Sequence, residues 1–516
     1  MVLRFQVQAD IVIPVVVRSA AGAASRALPG VVADVADGVW RQPDAVGLLA
    51  VVPPADVLLV EQIGERGMLE AGSYQDCRRE IEKIVVYSGR GWLRPVSGRS
   101  SRRGSFAMRG KRFPFLVRQS LTTLAVAVTL ISTAWTKPKF KILHAVPGGL
   151  WTGVTLDAKG NLYGVTGGGG DHNQGIIFQL TPGTRGWTLT TLHNFDGQNG
   201  GTPNGGLIFD GAGNFYGTAL GGKSQQGGGV AYEMVRKSSG WKFTVLYEFC
   251  LQYHCPDGGF PGSLTMDGMG NLYGNAGGGT YGEGIVFRLM PGVSASGWDE
   301  QVLYDFEGTK TGFGPSGTLI LDAAGNLYGT TALGGKVSSL CYAGCGTVFE
   351  LSQHSIGWKE RKLWQFDETD GAGPRSGVVF DTSGNLYGTT AGGGGTCDGE
   401  PCGTVFELTH IPGGHWKEKV IYGFLDPANG FYPSGRVVFD RAGNLYGTTV
   451  QGGIGPCYNG CGVVYKLSPG ADGKWNYTVL HKSISQAESP SGGGLVLDDR
   501  GNLYGTTYGF VYEITP

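Results

Sequence analysis

The sequence predicts an all-β protein: a seven-bladed β-propeller of four-stranded blades, closed by pairing an N-terminal strand at about 139–146 with the last blade. Three observations carry this expectation. The pentapeptide Gly-Asn-(Leu/Phe)-Tyr-Gly recurs seven times, its Asn at Asn161, Asn214, Asn271, Asn326, Asn385, Asn444 and Asn502, 53 to 59 residues apart. Each period holds four short apolar segments punctuated by Gly, Pro, Asn and Asp, with no helical spacing kept over two turns, which is the pattern of a propeller blade. The last period stops after three segments, and Lys139–Val146 (KFKILHAV) matches YTVLHKS at Tyr477–Ser483, the fourth segment of the period before. Closing the ring in this way leaves no orphan sheet edge.

The fourth period serves as the type. Its segments are TLILD (Thr318–Asp322), NLYGTT (Asn326–Thr331), GTVFEL (Gly346–Leu351) and WKERKLWQF (Trp358–Phe366). Between the first two, an Asp stands three residues before the Gly of every copy: Asp157, Asp210, Asp267, Asp322, Asp381, Asp440 and Asp498. An aspartate opening a tight turn accepts hydrogen bonds from the backbone just ahead, and the glycine supplies the positive φ that closes a hairpin. The repeated motif therefore reads as a folding turn rather than a metal or ligand site.

On the fourth segment a tryptophan recurs at Trp187, Trp241, Trp298, Trp358, Trp416 and Trp475, with Pro138 at the corresponding place in the N-terminal strand. Six rings at one register point to packing between blades. His193 and His481 stand where other periods have Tyr247, Tyr304, Trp364 and Tyr422, so they read as aromatic spacers rather than bases.

With 41 Lys and Arg against 42 Asp and Glu, the chain has no basic stripe and nucleic acid is not an expected partner. Its 93 Gly and 24 Pro fall at fixed places beside apolar residues, which makes them turn punctuation rather than disorder. Residues 1–107 carry no copy of the repeat and read as a leader, either a mis-assigned start or a disordered extension; a small domain before an internal anchor is the alternative. From Met108, a basic start, an apolar run from Leu121 and the small residues Ser132 and Ala134 form the pattern of a signal peptide at 108–134, cleaved before Trp135. The propeller then occupies 135–516, the protein is secreted, periplasmic or extracellular, and it meets a membrane only through the signal peptide.

Of the nine cysteines, Cys77 lies in the leader and the rest form four close pairs: Cys250/Cys255, Cys341/Cys345, Cys397/Cys402 and Cys457/Cys461. Close even pairs downstream of an export signal predict four local disulfides, and no metal site.

In a propeller, turns between first and second strands lie on one face, while second-to-third loops and blade-to-blade connections share the other. The second face receives long Gly-rich loops, and binding residues concentrate on such loops. Its candidate ligand-binding residues are Asp196, Asp257, Phe260, Tyr281, Asp305, Glu307, Phe313, Asp367, Asp370, Asp426, Phe431 and Tyr432. Acids beside aromatics suit carbohydrate; the simpler alternative is that each Asp caps its own turn and each ring packs on its neighbour. The preferred function is a monomeric, cofactor-free, non-catalytic scaffold for a polysaccharide or a cell-surface protein. The alternatives are a carbohydrate-active hydrolase or lyase, needing two carboxylates about 5–10 Å apart, and a structural component without a small ligand. No pair of acids, Ser-His-Asp set or phosphate loop stands out, so no catalytic residue is assigned.

The pattern D-x-x-G-N-L-Y-G-T-T-x-x-G-G, followed by G-T-V-F-x-L and V-L-Y-x-F over about residues 140–516, resembles the GloVer tandem-repeat family, also called choice-of-anchor tandem-repeat proteins. The resemblance implies an exported or surface-displayed bacterial protein of unassigned activity, often with a C-terminal anchor. Here the sequence ends in GFVYEITP, so free secretion or periplasmic residence is expected. A weaker similarity links the strand-turn-strand to NHL-type and lactonase propellers, whose metal ligands lie at the central channel. The first segments here, GVTLD to GLVLD, offer no acid besides the turn Asp, so no channel metal is expected.

Overall fold

A computed structural model describes residues 137–516 apart from 225–227, 293–296, 340, 398–399 and 458, together with five strand segments nearer the N-terminus. The chain divides into two compact units, Met1–Val117 and Arg118–Pro516. In the first, Val2–Val7, Ile11–Val17, Val46–Val52, Asp56–Glu61 and Val85–Ser88 form one antiparallel sheet in chain order. These strands fall within the expected leader; the expected signal peptide at 108–134 lies outside the described residues.

The second unit is the seven-bladed propeller. In the fourth blade the strands are Phe313–Leu321, Leu327–Leu333, Thr347–His354 and Gly357–Gln365, paired antiparallel in that order from the channel outward. The other blades repeat this arrangement, most with a first strand of only two residues, such as Thr155–Leu156. The last blade takes Val496–Leu497, Leu503–Thr506 and Phe510–Thr515 from the C-terminus, and its outer strand is Lys139–Ala145. Phe510 faces Ala145, Tyr512 faces Ile142 and Thr515 faces Lys139 across this closing pair.

Each turn is built from one carboxylate. Asp440 Oδ1 accepts from the backbone N–H of Ala442 and of Asn444, and Oδ2 from Asn444 Nδ2 at 2.7 Å and the Tyr446 hydroxyl at 2.9 Å. The same Asn and Tyr donors reach the turn carboxylate in all seven blades. Gly325 of the turn has φ +84° and open space where a Cβ would stand, so backbone conformation alone selects glycine there. The last Gly of the pentapeptide is needed for a different reason. A Cβ on Gly329 would come 2.6 Å from Phe349 Cζ, because the ring of the third strand lies across the second.

The core sits in the seams between blades rather than within them. Seven buried clusters each draw on two neighbouring blades, including the seam between last and first, where Leu143 and Val146 pack with Tyr504 and Val511. The recurrent tryptophans belong to these seams. Trp241 lies 6.2 Å from Tyr163, Trp298 6.2 Å from Tyr216 and Trp475 6.0 Å from Tyr387, each reaching the pentapeptide tyrosine of the preceding blade. One tyrosine thus ties the turn of its own blade, through its hydroxyl, to the seam with the next, through its ring. Burying each such ring contributes about 2–3 kcal/mol. His193 stacks on Phe243 at 3.8 Å and His481 on Phe140 at 3.7 Å, and burial pushes both imidazole pKa values down, which suits neutral spacers.

Disulfides join Cys250 to Cys255, Cys341 to Cys345 and Cys457 to Cys461. Cys402 is also disulfide-bonded; the side chain of Cys397 lies outside the described residues.

Candidate functional site

Antiparallel order places the Asp turns on one face and the long loops on the other. The connections on the loop face do not hang free. Phe313 pairs with Leu333 and Phe431 with Gln451, and isolated bridges at Gly201/Leu220, Gly259/Gly277, Ala372/Gly392 and Pro490/Thr507 repeat that pairing in other blades. Each connection thus adds a short rung to the top of a second strand before its own blade begins. Phe431 is consequently buried in the core of the seam between the fifth and sixth blades, with Tyr432 packed against it and Phe313 half-buried in its strand.

The candidate acids are engaged mostly by their own loops. Asp196 accepts from the backbone N–H of Gln198 and Asn199, and Asp426 from that of Ala428 and from Asn429 Nδ2. Asp257 accepts from the Tyr247 hydroxyl at 2.9 Å and from Cys250 N–H, and Asp305 from Thr280 N–H at 2.8 Å. Glu307 is exposed and lies 3.6 Å from Lys310. Asp367 pairs with Lys336 at 2.9 Å, and that ammonium and the Thr369 hydroxyl hold its pKa below the usual carboxylate range. Asp370 accepts from Trp364 Nε1 and Asp367 N–H, and burial pushes its pKa up.

Three acids outside the candidate set share one register. Two residues after its tryptophan, the fourth strand places Phe243, Tyr477 or Phe140 against an aromatic spacer of the blade before, Tyr477 stacking on Tyr422 at 4.1 Å. Glu300, Glu360 and Glu418 hold that position in three consecutive blades, each with Oε1 buried and unpartnered among the described residues. Burial raises Glu300 and Glu360 to about 7 and Glu418 to about 8, the last helped by Asp370 and Asp367. Because the arrangement repeats at three seams, it is first a seam feature. The Trp-x-Glu spacing could have found it in the sequence.

Of the candidate aromatics, Phe260 and Tyr281 are exposed, at 56% and 57%. The sequence reading missed four others on the same face: Trp151, Tyr253, Tyr342 and Tyr508. Trp151 is laid flat on Gly167, where a Cβ would meet its ring at 3.2 Å. Exposed Leu425, Ile454 and Ile484 also belong to this face. Among the described residues no group of three His, Cys, Asp or Glu is placed to hold a metal ion. A cleft lined by Lys159, Asn161, Gln179, Thr181, Pro182 and Arg236 lies on the opposite, turn side.

Fold and face together define a class: a closed, disulfide-bearing, seven-bladed repeat propeller. The model of the Gloeobacter/Verrucomicrobia repeat family matches residues 137–338, 275–424 and 343–514, and the chain belongs to that family. No curated protein matches it. Among solved structures it is similar to PorZ, a bacterial surface component of the type-IX secretion system of Porphyromonas gingivalis, at 15% identity and TM-score 0.44, over 71% of this chain and 46% of that one. The chain thus spans less than half of that protein's length. A luciferin-regenerating enzyme is similar at 13% identity and TM-score 0.35, over 73% of this chain and 95% of that one.

Proposed function

We propose that the protein is an exported, non-catalytic binding scaffold whose loop face takes a glycan or protein ligand. One observation carries this reading: most of the large apolar side chains left exposed on the propeller, Tyr253, Phe260, Tyr281 and Tyr342 among them, gather on that face. Grouped exposed apolar surface marks interaction sites, and rings offer flat platforms for sugar CH faces. Disulfides close the loops of Tyr253 and Tyr342, and stable disulfides belong to oxidising compartments outside the cytosol. Retention on immobilised polysaccharides, with reducing ends monitored, tests the reading. Binding without new ends is expected, and Phe260→Ala with Tyr281→Ala should weaken it at least tenfold at unchanged Tm. Retention untouched by this double variant would remove these rings from the site.

Hydrolysis is the second reading, favoured by the neighbouring Asp367, Asp370 and Glu418. Their pKa values are driven apart, as an acid and a base require. New reducing ends that disappear in Glu418→Gln would favour it over the scaffold.

A further inference from the structure

The strongest unassigned feature is the mouth of the central channel on the loop face. Four residues before each turn aspartate, the first strands come together around the channel. Gly153, Gly206, Gly377 and Gly494 occupy this position in four blades, and Ser263 and Thr318 in two more. The backbones press close: a Cβ on Gly377 would lie 2.5 Å from Thr318 O, and one on Gly494 3.1 Å from Arg436 O. Arg436 holds the seventh place, the one large and charged side chain of the ring. It is exposed, yet protein mass surrounds it along the channel walls, and the partial loss of hydration lowers its pKa. No carboxylate pairs with it among the described residues. The preceding blade adds an exposed cation, Arg375, at the same mouth.

Beside Arg436 the hydrogen bonding is also incomplete. In other blades the second strand closes the mouth onto the next blade: Thr218 Oγ1 donates to Gly262 O, Asn275 Nδ2 to Gly317 O, and Thr506 Oγ1 to Thr152 O. The equivalent Thr448 Oγ1 is buried with no partner among the described residues, and so is Ser434 Oγ, two residues before the arginine. A Cβ on Gly435, between Ser434 and Arg436, would lie 2.9 Å from Thr448 Oγ1, which places that hydroxyl against the same backbone. A cation with no carboxylate partner among the described residues therefore stands in a ring that is otherwise small and neutral, with two buried, unpartnered hydroxyls in the adjoining strands. A guanidinium walled in by protein focuses its field on oxyanions and binds them through paired N–H donors.

We propose that this mouth is an oxyanion site: Arg436 pairs with a carboxylate or phosphate group of a small ligand. The site does not depend on glycan binding by the rim of the loop face. Calorimetric titration of the full chain at fixed ionic strength with D-galacturonate, inorganic phosphate and D-galactose tests it. At least one of the two anions should bind tenfold or more tighter than galactose. A galacturonate response assigns a carboxylate ligand and a phosphate-only response a phosphate ligand. Arg436→Thr, which installs the residue of the fourth blade, should keep the melting transition and lose at least tenfold in anion affinity. Arg441→Ala, on the turn face, should lose none. Failure of both anions to bind the unaltered protein, or equal binding by Arg436→Thr, would overturn the site while leaving the rim reading open.

Discussion

The two faces of the propeller are made by opposite rules. On the turn face, seven aspartates build the same turn seven times, and even the distances repeat: Asn Nδ2 reaches the carboxylate at 2.7 to 2.9 Å in every blade. On the loop face the blades differ. One loop is closed by Cys250–Cys255, another by Cys457–Cys461, and the loop between Thr506 and Phe510 is cut to a tight turn carrying exposed Tyr508. Uniformity on one side therefore supplies the ring's stability and leaves the other side free to vary, the usual division between scaffold and binding surface.

The most severe way to break the comparison is to remove what both faces share, the closed ring. Deleting residues 139–146 exposes the edge of Phe510–Thr515 and opens the seam of Leu143 and Val146, so cooperative unfolding should be lost in thermal melts followed by circular dichroism. An unchanged transition would refute closure. Next is the turn carboxylate. Burial alone would raise the Asp440 pKa, but hydrogen bonds from Asn444, Tyr446 and Ala442 outweigh it and lower it, so the fold holds the ionised form. Asp440→Ala leaves those donors unpaired and should cost about 2–3 kcal/mol in denaturant titrations. A loss as small as that of a loop-face substitution would end the distinction between the faces.

The seam glutamates sharpen it through pH. Glu300, Glu360 and Glu418 titrate near 4.5 in the unfolded chain and at about 7, 7 and 8 in the fold. The folded protein thus keeps protons that the unfolded chain releases, and stability falls as pH rises from about 4.5 to about 8. The triple Gln variant should melt with a flatter pH profile, and an equally steep profile would assign the slope to other groups. The smallest effect belongs to the loop disulfides. Cys457→Ser with Cys461→Ser opens a loop of four-residue separation and should cost about 1 kcal/mol. A collapse of the melting transition would show that these bonds hold the ring rather than a loop.

Features that recur at fixed spacing were legible without coordinates: the Asp turns, the seam tryptophans, the spacer role of His193 and His481, and the completion of the last blade by Lys139–Ala145. Each is a local rule written several times, so coincidence is averaged out. The loop face was less legible. Phe431 and Phe260 look alike in sequence, yet one is buried in a seam and the other exposed, because Phe431 itself pairs with Gln451 whereas in the third blade Gly259 holds the paired position and Phe260 follows it. Arg436 was visible in RVVFD, but nothing in one segment tells that six other first strands would surround it.

By itself the sequence determined the unit and its count, because turn chemistry and strand alternation act over a few residues and are encoded there. Only the tertiary structure decided which side chains meet across a seam, which carboxylates are consumed by their own loops, and which first-strand residue stands among the others around the channel. Those outcomes depend on ring closure, which brings residues hundreds of positions apart into contact, as when Thr506 donates to Thr152.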